Sequence, residues 1–137
     1  YCIHNAATGR ETTMPHTISK AAQQRRVVII GAGPAGLEAA RVAGERGHSV
    51  VVFEAASDAG GQIRLTAQSE RRREMLGIID WRLSRCEALG VEIRYNVWAE
   101  AEEVLAEKPD VVIVATGGYP MEVPYSALMS PSHRLTG

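Results

Sequence analysis

Aromatic residues are scarce, 5% of the 137 residues with a single phenylalanine, and cysteine is scarcer still, with Cys2 and Cys86 alone. Two cysteines build no disulfide framework and suit a reducing compartment, so a cytoplasmic setting is expected. Neither charge sign is in excess: the formal net charge is -1, which leaves no global field to gather nucleic acid or a charged membrane surface. Basic and aromatic residues do not interleave as a nucleic-acid groove requires. Apolar runs stop at about five residues, around 27–30 and 111–115, far short of a membrane-spanning helix. No Ser-His-Asp or Cys-His constellation is legible, and His4, His16, His48 and His133 are too scattered for metal-ligand spacing. No secretory or transit pattern opens the chain. Nor does an initiating methionine: it begins Tyr1-Cys2, which reads as a segment of something longer.

What is present points to a folded α/β unit. With 45% hydrophobic and 23% charged residues the composition is that of a globular domain, and a chain of this length buries roughly two-thirds of its extended surface. Residues 1–26 carry no sustained period and read as a polar arm or linker that packs weakly. Val27-Val28-Ile29-Ile30 is a β-branched run ending at Gly31, the pattern of a strand buried on both faces. Pro34 then opens a helix that runs to about residue 46 and is stopped by Gly47. A second strand is expected over 49–54. A loop holding Gly60-Gly61 leads to a long helix over 70–89, in which Leu76, Ile79, Leu83 and Cys86 repeat at helical steps and Gly90 ends the pattern. Strand 91–95, a short helix over 100–107 and strand 111–115 complete the alternation. Such alternation implies right-handed crossovers and a doubly wound, Rossmann-like parallel sheet, here truncated, over 27–118. Residues 119–137 hold three prolines' worth of turn chemistry and read as an irregular tail.

The chemistry lies in Gly31-Ala32-Gly33-Pro34-Ala35-Gly36. G-x-G-x-x-G is common by chance, but here it follows a strand, opens a helix and precedes an acid, Glu54, at the end of the next strand. Gly31 permits the turn out of the strand. Gly33 leaves room for a pyrophosphate against the backbone, and Gly36 lets the helix lie close on the sheet. The first-turn amides face the diphosphate, Glu54 accepts from an adenosine ribose, and its carboxylate repels a 2′-phosphate. A plain strand-to-helix turn with no ligand is the competing reading, and FAD and NAD both present the ADP such a site would hold.

The pattern from Gly31 through Ala40, Gly47 and Glu54, with Gly60-Gly61-Gln62-Ile63, resembles the FAD-binding half of the two-dinucleotide-binding-domain flavoproteins. Ala115-Thr116-Gly117-Gly118 resembles their second glycine signature near the cofactor. More narrowly, Cys2-Ile3-His4-Asn5-Ala6 ahead of this unit is similar to iron–sulfur flavoproteins related to 2,4-dienoyl-CoA reductase and trimethylamine dehydrogenase. Arg71-Arg72-Arg73-Glu74 through Asp80-Trp81, then Leu89-Gly90-Val91-Glu92-Ile93, look most like members that demethylate N-methylproline or dimethylglycine. The resemblance implies a longer NAD(P)H-linked oxidoreductase carrying FMN, a [4Fe–4S] cluster and FAD. It places Gly31, Gly33, Pro34, Ala35, Gly36, Glu54, Ala55, Gly61, Gln62, Ala115, Thr116 and Gly117 around FAD, or its ADP part. Cys2 would be a cluster ligand in the intact protein only, since a cluster takes four thiolates and this chain has two cysteines. The implied partners are the dinucleotide and the remaining domains of the parent; a truncated sheet edge is also open to pairing with a second copy. Two alternatives stand beside this reading: a non-catalytic ADP-binding structural module, and an NAD-binding domain.

The remaining features read as structure. Cys86 falls on the apolar stripe of its helix. Arg71-Arg72-Arg73 reads as a solvated face, Trp81 and Trp98 as packing or domain-interface residues, and Glu100, Glu102 and Glu103 as a helix start.

Overall fold

The computed structural model describes residues 7–14 and 16–118. Strands β1 (Arg26–Ile30), β2 (Ser49–Phe53), β3 (Glu92–Arg94) and β4 (Val111–Val114) alternate with helices α1 (Pro34–Glu45), α2 (Gln62–Thr66), α3 (Leu76–Ala88) and α4 (Ala101–Ala106). All pairings are parallel, in the order β3-β2-β1-β4, with Ile30 opposite both Phe53 and Val114. Alternate residues of each strand feed opposite faces. Val27, Ile29, Val50 and Val52 meet Leu37 and Ala40 of α1 and Ile79 and Cys86 of α3 on one face. Val28, Val51 and Phe53 meet Val104 of α4 on the other. Helices therefore cover both faces, as the alternation implied.

Both long helices end in the same way. His48 N–H donates to the Ala43 carbonyl at 3.0 Å and Gly47 N–H to Gly44 at 2.9 Å; Val91 and Gly90 repeat the pattern on Cys86 and Glu87, at 3.0 Å each. These six-to-one closures satisfy terminal carbonyls and turn the chain into the next strand. A polar rim then clamps α1 to α3. Glu38 accepts from Arg41 and pairs with Arg82 at 3.0 Å, while Glu45 accepts from Arg41 at 2.8 Å and from Arg85 at 3.4 Å. Across the sheet Glu107, following α4, pairs with Arg26 of β1 and accepts from Arg94 of β3 at 2.6 Å.

Three expectations change, and β4 takes an edge position on which the residue pattern is silent. The 70–89 helix divides: Glu70–Met75 is a 3-10 helix, and the α-helix starts at Leu76. Residues 70–74 are exposed and offer nothing to bury, so only the stretch with the apolar repeat packs as α-helix. Within the expected loop, α2 forms after Gly61; five residues carry too little period to be seen in advance. The 111–115 run has the composition of a two-faced buried strand yet stands at the sheet edge, with Val112 and Val114 41% and 70% exposed. The arm is also less detached than its composition suggested. Ala7 is buried, Ala21 N–H donates to the Arg46 carbonyl at 2.9 Å, Gln24 Nε2 to Gly47 at 3.0 Å, and Arg25 N–H to His48 Nδ1 at 3.2 Å. Residues 1–6, 15 and 119–137, with Cys2, His4, His133 and the tail, lie outside the described residues.

Acid should undo the rim. Hydrogen bonding by Arg26 and then Arg94 holds the Glu107 carboxyl below its ordinary 4.5, and hydrogen bonding by Arg41 does the same for Glu38. Folded values below unfolded ones mean stability that is present above about pH 4.5 and lost as pH falls through the folded values. The urea midpoint should stay level from pH 7 to 5 and drop below about 4.5; Glu107→Gln should start lower at pH 7 and drop less steeply.

Candidate nucleotide site

The strand order reverses between β1 and β4, so the loops leaving these two strands diverge and leave a crevice beyond their carboxyl ends. Close packing builds its floor. Gly31 adopts φ +102°, a region that favours glycine, and a Cβ there would stand 2.5 Å from the Ala115 carbonyl oxygen. A Cβ on Gly36 would collide with the Gly31 carbonyl oxygen and come 3.4 Å from the Ala115 methyl group. Gly33 is different: an added Cβ would meet nothing within 4 Å. Two glycines thus serve contact within the protein, and the third leaves its surface open.

Gly33 is the N-cap of α1 and Pro34 its first residue. Leu37 N–H makes the first return bond, to the Gly33 carbonyl at 2.9 Å, so the Ala35 and Gly36 amides precede the ladder at the positive end of the helix dipole. No acidic residue occupies that first turn. An anion fits there, with N–H donors and open backbone supplied together.

Glu54 leaves β2 and turns toward the glycine loop. Ala32 N–H donates to its Oε2 at 2.6 Å and Ala56 N–H to its Oε1 at 2.8 Å. Each oxygen keeps lone-pair capacity for a further donor, so the carboxylate can brace the loop and still accept from a ribose hydroxyl. Gly60 N–H donates to the Ala32 carbonyl at 2.8 Å, and Gly61 lies against Gly33, where a Cβ on Gly61 would stand 3.4 Å from the Gly33 Cα. Gln62 Nε2 reaches the Gly118 carbonyl at 2.9 Å.

The predicted residues Gly31, Gly33, Pro34, Gly36, Glu54, Gly61, Gln62 and Ala115 therefore converge on one crevice. Ala35, Ala55, Thr116 and Gly117 are exposed. Sequence reasoning overlooked Ala32 and Ala56, whose contributions are main-chain amides and leave no mark in side-chain chemistry.

Other candidates fall away from the crevice. Cys86 is buried with its Sγ 3.6 Å from the Leu37 carbonyl oxygen, and burial pushes its thiol up. Arg71, Arg72 and Arg73 are exposed. Trp81 carries the Arg41 and Arg82 guanidinium groups at 5.5 and 5.7 Å, and Glu103 accepts from Glu100 N–H at 3.0 Å at the start of α4. Among the described residues no three His, Cys, Asp or Glu side chains gather to hold a metal, and no helix is long and apolar enough to cross a membrane. A groove of about 670 Å³ lies between residues 21–25, α1 and β4, floored by alanine and valine; it flanks the edge strand rather than the strand ends.

Residues 29–79 match the family described as NAD(P)-binding Rossmann-like domain. The parallel sheet with helices on both faces is Rossmann-like in fold. The chain is 74% identical over 88% of its length to a probable N-methylproline demethylase of Rhizobium meliloti (strain 1021). It is 59% identical over 87% of the chain to a multifunctional alkene reductase/demethylase OYE of Caballeronia cordobensis. The chain spans 18% of the length of each of these curated relatives. Among solved structures it superposes on 2-naphthoyl-CoA reductase with TM-score 0.84 at 34% identity, over 90% of this chain and 19% of that one. Histamine dehydrogenase from Rhizobium sp. 4-9 follows with TM-score 0.78 at 28% identity, over 86% and 19%.

The glycines make opposite predictions. Gly36→Ala should cost about 3 kcal/mol in urea unfolding, because its Cβ meets backbone that cannot yield. Gly33→Val, at φ -72° with open space beyond, should keep the wild-type melting temperature while abolishing ADP binding in calorimetry.

Proposed function

We propose that the crevice at 31–36 binds the ADP part of FAD and serves a flavin-dependent oxidoreductase. The observation that carries this is the pairing of an open Gly33 surface at the start of α1 with the Glu54 carboxylate anchored beside it on Ala32. The α1 amides would take the diphosphate and Glu54 a ribose hydroxyl. A 2′-phosphate would meet that carboxylate and be disfavoured. The flavin, when bound, supplies the redox chemistry, and this chain's part is to grip and orient its nucleotide half.

Relatives named as demethylase, alkene reductase and dimethylglycine/sarcosine dehydrogenase support an oxidoreductase as the parent. In that parent we place electron transfer between NAD(P)H, FAD, a [4Fe–4S] cluster and FMN, with oxidative N-demethylation as the reaction class and Cys2 as a cluster ligand. The cysteine usage suits a cytoplasmic setting. The matched family's own description favours a second reading, NAD in the same crevice.

Calorimetric titration of the 137-residue chain separates the two. FAD should bind at least as tightly as ADP and more tightly than NAD, with NADP weakest. Binding of NAD with no binding of FAD would falsify the flavin reading.

A further inference from the structure

β4 ends its ladder with Ala115 N–H donating to Ile30 at 2.8 Å. Beyond it, Thr116, Gly117 and Gly118 are exposed, Gly117 has φ +78°, and a Cβ on either glycine would meet nothing within 4 Å. Two adjacent glycines lose more backbone freedom on ordering than other residues would. Among the described residues, one hydrogen bond reaches 116–118: that from Gln62 Nε2 to the Gly118 carbonyl. Gln62 is itself rooted on the glycine loop, through Gly60 N–H on the Ala32 carbonyl and Gly61 against Gly33. One amide side chain therefore spans the crevice, with the loop after β1 on one side and the segment after β4 on the other.

The Thr116 main chain already packs on the glycine loop, 3.2 Å from where a Cβ on Gly31 would stand, and we propose that Gln62 is a positioning residue that holds Gly117 and Gly118 at a fixed distance from that loop before any ligand arrives. The inference rests on the nucleotide reading of the crevice and adds to it. Ordering that segment in advance removes an entropy cost that binding would otherwise meet, which raises affinity without a new ligand contact. The side chain's reach matters as much as its chemistry: a shorter amide at 62 keeps the donor and loses the span.

Backbone amide relaxation of the ligand-free 137-residue chain, paired with ADP calorimetry, tests this. In the wild type, the Gly117 and Gly118 order parameters should approach the ~0.85 of rigid backbone; in Gln62→Met they should fall below about 0.6. ADP affinity should weaken about fivefold, the equivalent of about 1 kcal/mol, with the melting temperature unchanged. Gln62→Asn should behave like Gln62→Met, and Gln62→Lys, which restores a donor of long reach, should restore the order. Unchanged order parameters in Gln62→Met, or a Gln62→Lys chain as mobile as Gln62→Met, overturn the tie. Lost order with unchanged ADP affinity overturns the positioning role alone. A wild type that binds neither ADP nor FAD overturns the nucleotide reading and the positioning role with it, while the order parameters still decide whether the tie exists.

Discussion

An α-helix sends its Cβ atoms outward, and at Gly36 the outward direction runs into the main chain of Gly31. That contact sets how near α1 can lie to the ends of β1 and β4. Ala115 closes the same junction from the other side, its carbonyl oxygen over Gly31 and its methyl group over Gly36. Any side chain at these glycines would lift the helix away from the strand ends. The Ala35 and Gly36 amides would then leave the level of Glu54, and donors and acceptor would no longer frame one space. Backbone-to-backbone packing is thus the constraint from which the crevice follows, and Gly33 is free to face outward because its neighbours carry that packing.

A second layer of interactions keeps the junction in register. Glu38, Arg41, Glu45, Arg82 and Arg85 bind α1 to α3 on one face, and Glu107 joins Arg26 and Arg94 on the other. Individual surface ion pairs contribute little, but shared partners make these groups a network rather than a set of separate pairs. Glu54 belongs to neither rim. Its carboxylate is held by main-chain amides of the loops after β1 and β2, which ties the acid end of the candidate site to the glycine loop.

Much of this was legible in the residue pattern, and the exceptions have physical causes. The strand and helix alternation, the stops at Gly47 and Gly90 and the packing tasks of Gly31 and Gly36 all follow from local chemistry, and the structure reproduces them. The 3-10 segment was misread because helical propensity in Arg71-Arg72-Arg73 says nothing about whether a face exists to bury, and here none does. The short helix after Gly61 was missed since its geometry depends on Gly60 bonding to Ala32, a contact across the fold rather than along the chain. Likewise, the edge position of β4 is a property of the assembled sheet; composition alone reads the same for an interior strand. The bond between Gln62 and Gly118 links residues 56 positions apart, and no spacing rule anticipates it.

The two tryptophans give the fold an optical asymmetry. Trp81, itself 52% exposed, sits on the α1–α3 rim with one guanidinium from each helix over its ring, whereas Trp98 is 70% exposed. Trp98, largely in solvent already, has little environment to lose on unfolding. Trp81 emission instead reports the cationic field of the α1–α3 rim. A change in Trp81 emission during unfolding therefore follows the loss of those two guanidinium contacts, and with it the parting of the helix that bears the glycine loop from its neighbour.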